Sequence, residues 1–538
     1  MSAGGGAVRR RRGTAAGLFG AALLVAGTVL TSGGAYAQPS PPPGGHSTGH
    51  GEDDDRDGGR DGNGGKKGDH GKGGAKPGPG DSPSAAPARR SGPSAAPAPA
   101  NTGGDPSAAR PAPAAGDVLA SADGAPTAAV PTAQGLRQAL AGAVADPNLG
   151  DVTFAVADAA DGRLLYGSGE NTPATPASTT KLATSIAALS LLPGDTRLTT
   201  KVVRGADPGT ITLVGGGDPT LTALPADQVQ IGGQPVDADT APASLDALAR
   251  QTAAALAAAG TTTVKLDYDL SMYAGNPQHN NHDGQNIALV VPLMVDEAKA
   301  DPKSREDAPD RVPDPAGAAA GAFAALLKAQ GITVQGGPGP AAAPAAADAP
   351  VLGRVDSPTL DRLVERLLTT SDNQLAEAIA RQAALAAHQP ASFEGAAAAV
   401  TRELTRLGVP MGDVVLNDGS GLHTGNAIPP AVLVRLLSLA ASAEHPALRP
   451  VLTGLPVAGF TGTLGKRYGA GSGSADAAGL IRAKTGTLRG VNTLAGTVVD
   501  ADGRLLAFAV MTRTPAPADT ARAAMDRIAA HLAGCGCH

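Results

Sequence analysis

Ser178 and Lys181 stand three residues apart in Ser178-Thr179-Thr180-Lys181, at the head of an apolar run from Leu182 to Leu192. A serine hydroxyl attacks a carbonyl effectively only when a base takes its proton. Residues three apart on a helix share a face, so the Lys181 amine would stand one turn from the Ser178 hydroxyl. Pro176 suits the first turn of a helix, where its missing N–H costs nothing. The serine would then lie at a helix N-terminus, where N–H groups and the dipole favour developing negative charge. Alone, the pair also reads as a capping serine beside a solvated lysine.

Two further groupings follow in chain order. Ser371-Asp372-Asn373 falls between helical patterns over Leu360 to Leu368 and Gln374 to Ala387, so it occupies a tight turn. Lys484-Thr485-Gly486-Thr487 continues Leu480-Ile481-Arg482-Ala483 into β-like sequence and reads as a strand. Each is ordinary in isolation, since Ser-Asp-Asn is common turn chemistry.

S-x-x-K, S-x-N and K-T-G in this order form the signature of active-site serine penicillin-recognising enzymes. From about Gln134 to Leu532 the chain resembles the class C low-molecular-mass penicillin-binding proteins, the D-alanyl-D-alanine carboxypeptidase/endopeptidase family. Gly215-Gly216-Gly217-Asp218-Pro219-Thr220-Leu221 is similar to that family's glycine-rich segment, and Asn417-Asp418-Gly419-Ser420-Gly421-Leu422 to its D-G-S-G-L element. The stretch between Ser178 and Ser371 is far longer than a β-lactamase carries there, and insertions at this place are a family trait.

The resemblance implies an exported serine DD-peptidase acting on peptidoglycan stem peptides and blocked covalently by β-lactams. Ser178 would attack the penultimate D-Ala carbonyl. Lys181, desolvated and near a second cation, would serve as base, a role that Lys484 could share. Ser371 would relay a proton to the leaving amine, and Asn373 would position the substrate amide. Lys484, Thr485 and Thr487 would hold the terminal carboxylate on the strand that includes Gly486. The N–H groups of Ser178 and Thr487 would form the oxyanion hole. Two alternatives stand beside this reading: a β-lactamase-like hydrolase or esterase, and a non-catalytic cell-wall-binding protein. Against the first, Glu403-Leu404-Thr405-Arg406-Leu407 does not match the E-x-x-L-N element of class A β-lactamases.

Other candidates are weaker. His423-Thr424-Gly425 mimics K-T-G but adjoins the Asp418–Leu422 loop. Ser420 has no basic partner at helical spacing. His279 and His282 lie in an Asn/Gly-rich stretch that reads as a solvated loop, and His46, His50 and His70 lie in a polar linker. No H-E-x-x-H occurs, which argues against a zinc peptidase; neither a metal nor a cofactor is expected. The Asp55–Asn63 acidic stretch fails as a calcium loop because Lys66 stands where the closing Glu belongs.

The elements that must position these residues follow from composition and pattern. The chain has 538 residues, 73 Gly and 45 Pro but no Trp, 5 Tyr and 6 Phe, so its core must come from Ala, Leu and Val. A formal charge of −6 gives no reason to expect nucleic acid as a partner. Arg9–Arg12, the apolar Thr14–Leu30 and Ala35-Tyr36-Ala37 read as a secretory signal over 1–37, with an uncleaved membrane anchor as the alternative. Either places the bulk of the chain outside the cytoplasm, in the wall or at the outer membrane face. Residues 38–132 read as a disordered Pro/Gly/Ala-rich linker.

Beyond it, β-hairpins at Val152–Tyr166 and Gly496–Met511 predict one sheet built from both ends of the folded region. The expected architecture is α+β: an antiparallel sheet flanked by helices, as in the transpeptidase domain of penicillin-binding proteins and β-lactamases. The catalytic domain would span 133–200 and 352–533. An accessory domain over 201–351 would be inserted in it, with β-like runs at Ile211–Val214, Thr262–Leu266 and Ile287–Val291, and Gly337–Pro350 leading back as a linker. Cys535 and Cys537, in a Gly-Cys-Gly-Cys-His tail, read as a frayed end, a short-loop disulfide or a bond between chains.

Overall fold

The computed structural model describes residues 128–538. The expected signal, residues 1–37, and nearly all of the expected linker lie outside the described residues.

Period-two alternation builds the first sheet. Its order is Ile481–Leu488, Val491–Val499, Leu505–Arg513, Asp151–Asp158 and Leu164–Ser168, antiparallel throughout. Phe154 and Val156 point to one face with Phe508 and Val510, where the helices Ala133–Val144 and Ala518–Ala533 cover them. Ala155, Ala157, Ala507 and Ala509 point to the other. Large side chains on one face and alanines on its opposite have a consequence. The helix packed on the alanine face, Pro430–Ala441, can approach the sheet closely, and Thr180–Leu191 packs against that helix in the same core. Each fully buried leucine there, such as Leu182 or Leu433, contributes about 1.5–3 kcal/mol of hydrophobic stabilisation.

A second, mixed sheet follows between Thr199 and Asp356. Its order is Val351–Asp356, Thr199–Arg204, Thr210–Val214, Thr263–Asp269 and Thr333–Val334. The first three are antiparallel, and the remaining pairings are parallel. Parallel neighbours require crossovers, supplied by the helices Leu245–Ala258 and Pro315–Ala329. The chain enters and leaves this region through adjacent antiparallel strands, Thr199–Arg204 and Val351–Asp356.

Three local readings change. Ile287–Val291 forms no strand. Its backbone bonds instead to Gln374, whose Oε1 accepts from Ala288 N at 3.1 Å and whose Nε2 donates to Leu289 O at 3.3 Å. A side-chain amide thus substitutes for a ladder partner. The Gly337–Pro350 run is held along the sheet, with Gly339–Pro340 paired to Thr263–Asp269 and Ala345 N donating to Asp269. The C-terminal tail is docked rather than frayed. Cys535 and Cys537 are bonded to each other, and Thr132 N donates to Cys537 O at 2.8 Å. Among the described residues no single helix is long and apolar enough to cross a membrane.

Candidate active site

Ser178 lies in a 3-10 turn, Ala177–Thr179, immediately ahead of the helix Thr180–Leu191, rather than within the helix proper. Ala177 has φ +47°, and Pro176 O is held by the Thr179 and Thr493 hydroxyls at 2.6 and 2.8 Å. These contacts tie the serine turn to the strand Val491–Val499. Ser178 is half-buried, whereas Lys181 is fully buried.

The Lys181 ammonium donates three hydrogen bonds: to Ser178 Oγ at 2.9 Å, to Asn373 Oδ1 at 2.7 Å and to the Ser420 carbonyl at 2.7 Å. Burial pushes its pKa down to about 8, against the pull of the Asp418, Glu377 and Asp372 carboxylates. Lys484 is also fully buried; it donates to Ser371 Oγ at 2.8 Å and to Thr485 O at 2.7 Å. Burial, reinforced by the Lys181 charge, pushes it well below the ordinary lysine value. Two ammonium groups in one dry site repel, so loss of a proton by one relieves the other.

Each motif owes its place to its element. Asp372 caps the helix Asn373–Ala386 by accepting from Leu375 N at 3.0 Å. Ser371 ends the preceding helix, Leu360–Thr370, in the left-handed region at φ +61°. On the strand Ile481–Leu488, Lys484 and Gly486 face the serine, while Thr485 and Thr487 lie on the opposite side. A β-carbon at Gly486 would fall 3.0 Å from Pro176 O, so glycine is required where strand and serine turn meet. Thr485 and Thr463 share a hydroxyl–hydroxyl bond of 2.7 Å, and Arg522 Nη2 donates to Thr487 Oγ1 at 3.2 Å. Side-chain hydrogen bonds thus join Ser178, Lys181 and Asn373 in one set and Ser371 and Lys484 in another. Gly486 lies against the serine turn, while the Thr485 and Thr487 side chains lie on the other side of the strand.

Sequence reasoning missed several supporting groups. Ser420 contributes its carbonyl, not its hydroxyl. That carbonyl is aimed by Glu377, which accepts from Ser420 N at 2.8 Å and from Gly419 N at 3.1 Å. His279, expected on a solvated loop, is buried, and its Nε2 lies 2.9 Å from Asp418 Oδ2. His279, Glu377 and Asp418 converge closely enough to suggest a metal site. However, the Asp418 oxygens already take Gly421 N, His423 N and Asn426 Nδ2, and the Glu377 oxygens take two backbone N–H groups. The cluster fixes the Asp418–Leu422 loop. The D-G-S-G-L resemblance over Asn417–Leu422 was the sequence signal for this loop, but not for its partners His279 and Glu377. A cleft of about 730 Å³ between Asn276, Phe393, Arg402 and His423 is lined by none of the motif residues, so the chemistry lies elsewhere.

Residues 136–308 and 300–532 match the D-Ala-D-Ala carboxypeptidase 3 (S13) family. The chain belongs to that family. It is 37% identical over 420 residues to the carboxypeptidase DacB of Mycolicibacterium smegmatis, covering 76% of this chain and 86% of the relative. It is 30% identical over 464 residues to the D-alanyl-D-alanine carboxypeptidase of an Actinomadura species, covering 74% and 84%. The fold is that of penicillin-binding protein 4 from Haemophilus influenzae, with a TM-score of 0.58 at 20% identity over 74% of this chain and 98% of that one. Membership of the S13 family makes the chain a serine-type D-Ala-D-Ala carboxypeptidase.

Proposed function

We propose that this protein is an exported serine DD-peptidase that cleaves the D-Ala-D-Ala bond of peptidoglycan stem peptides through an acyl-enzyme on Ser178. The observation that carries this reading is the contact of Lys181 Nζ with Ser178 Oγ beside a second buried lysine on Ser371. Neutral Lys181 takes the Ser178 proton as Oγ attacks the penultimate D-Ala carbonyl. The oxyanion is held by the N–H groups of Ser178 and Thr487. Ser371, fed by Lys484, passes a proton to the departing amine, the C–N bond breaks, and terminal D-Ala leaves. Water then attacks the ester, and its proton returns by the same relay. Asn373 orients the peptide amide, and Thr485 and Thr487 bind the terminal carboxylate.

A crosslinked stem peptide presents the same bond with a longer leaving amine, so endopeptidase action belongs to this reading. So does covalent trapping by β-lactams, a proposal supported by the complex of Haemophilus influenzae penicillin-binding protein 4 with a β-lactam, which shares this fold with a TM-score of 0.53. Residues 1–37 would direct export to the wall or outer membrane face, and residues 201–351 would form the accessory domain inserted between 133–200 and 352–533.

The test combines a fluorescent penicillin with product analysis on intact muropeptides. Labelling at Ser178, with release of D-Ala or resolution of crosslinks, supports the proposal. Rapid β-lactam turnover without either product would replace it with a β-lactamase.

A further inference from the structure

Four non-glycine residues adopt left-handed backbone on the two sides of one buried contact. Ser371 is one, at φ +61°. Opposite it, Asp296, Glu297 and Ala298 run consecutively at φ +52°, +58° and +60°. Such conformations are unfavourable for residues with a β-carbon and persist only where the surroundings over-determine them. The second set belongs to the long segment between the first two motifs, far in sequence from Ser371.

What holds Asp296–Ala298 is visible. Asp296 N donates to Leu221 O at 2.7 Å and Glu297 N to Pro219 O at 2.9 Å, both in the glycine-rich Gly215–Leu221 segment. Arg311 Nη1 donates to Glu297 O at 2.7 Å. The Glu297 side chain is buried and pairs with Arg366 of the helix Leu360–Thr370 and with Lys299 at 2.8 Å. It also lies within hydrogen-bonding reach of the Asp372 carboxyl, between Ser371 and Asn373. Asp372 therefore has three tasks in one carboxyl: capping Leu375 N, meeting Glu297, and fixing the turn on either side of itself.

We propose that Glu297 is a positioning residue for the reaction: through Asp372 and Arg366 it holds the turn that aims Ser371 at Lys484 and Asn373 at Lys181. The inference rests on the roles of Ser371 and Asn373 given above. It accounts for the strain on both sides of the contact, and for the use of a glycine-rich segment that touches none of the catalytic groups. A β-carbon at Gly216 would fall 2.1 Å from Thr199 O, so glycine there lets the segment press against the strand Thr199–Arg204 while its carbonyls hold Asp296 and Glu297.

The charged groups facing the Glu297–Asp372 contact are Arg366, Lys299, Asp218 and Asp296, with Lys181 on the far side of Asp372. Burial and the neighbouring Glu297 charge raise Asp372 to about 6, while Arg366 and Lys299 overcome burial to hold Glu297 below its ordinary value. Removing the Glu297 charge must therefore lower the pKa of Asp372.

The test uses the full chain with Glu297→Ala and Glu297→Gln, reading kcat and KM for D-Ala release, penicillin acylation and thermal unfolding. Glu297→Ala is expected to lower kcat and acylation roughly 10- to 100-fold, with KM nearly unchanged and the protein folded. Glu297→Gln keeps a hydrogen bond to Asp372 without the charge and should recover most of the rate. Wild-type rates in the alanine variant would overturn the proposal. So would equal losses in both variants that track the folded fraction. If the wild type acylates with penicillin but releases no D-Ala, the DD-peptidase reading fails, while the acylation rates still decide the role of Glu297.

Discussion

Gly486 lies so close to Ser178 that a β-carbon at position 486 would stand 2.9 Å from the Ser178 amide nitrogen and 2.2 Å from the Thr493 hydroxyl. The strand therefore cannot carry a side chain at this point and still present Thr487 to the serine. Gly486→Ala is expected to fold but to slow acylation by a fluorescent penicillin by about 100-fold, the scale of an ångström's misplacement of reacting groups. Wild-type acylation in this variant would show that the strand is not positioned through this contact.

The pH dependence of the serine's activation follows from Lys181. Only the neutral amine accepts a proton, and burial places its titration at about 8. Acylation should accordingly rise with pH and level off above about 8. A Lys181→Arg guanidinium stays charged, so that variant should lose roughly 10²–10⁴-fold. Acylation rates across the neutral to alkaline range check both statements, and a profile falling through this range would exclude Lys181 as base.

Glu377 should matter to stability before it matters to rate. Glu377→Ala would strand two buried N–H groups, of Gly419 and Ser420, and remove the carboxylate 3.5 Å from buried Arg381. Breaking a buried pair in this way costs about 3–5 kcal/mol, readable by urea unfolding. Glu377→Gln retains an acceptor and should cost distinctly less; equal losses would mean that the loop is held mainly by Asp418.

Arg522 places a cation at the outer edge of the Thr485–Thr487 face, where the substrate carboxylate would lie. Arg522→Ala should raise KM for a peptide ending in free D-Ala about tenfold, the loss of one charge-assisted hydrogen bond, with kcat little changed. An unchanged KM would remove Arg522 from carboxylate recognition.

The parts of this molecule legible in the sequence were those governed by local pattern. The hairpin patterns at Val152–Tyr166 and Gly496–Met511 announced a sheet from both ends of the folded region, and serine–lysine spacing announced the contact of Lys181 with Ser178. Asp161-Gly162 and Asp502-Gly503 announced their hairpins, with both glycines at positive φ. What escaped were tertiary substitutions for local structure. Ile287–Val291 has strand composition, but the Gln374 amide satisfies its backbone. His279 sits in polar sequence yet is buried because Asp418 offers it a carboxylate across the fold. No periodicity records such partners, since their spacing is set by the assembled chain rather than by any one element.

The two strands that flank the long central segment are hydrogen-bonded neighbours, so a tight turn between Arg204 and Val351 could in principle replace everything between them. The groove would not survive that edit. Asn373 Nδ2 donates to Asn286 O at 3.1 Å, His279 supports Asp418, and Glu297 meets Asp372, all from inside the removable stretch. The segment is detachable by topology and indispensable by chemistry: a shortened relative could keep this sheet and these motifs only by rebuilding, from other residues, the wall on which Asn373 leans.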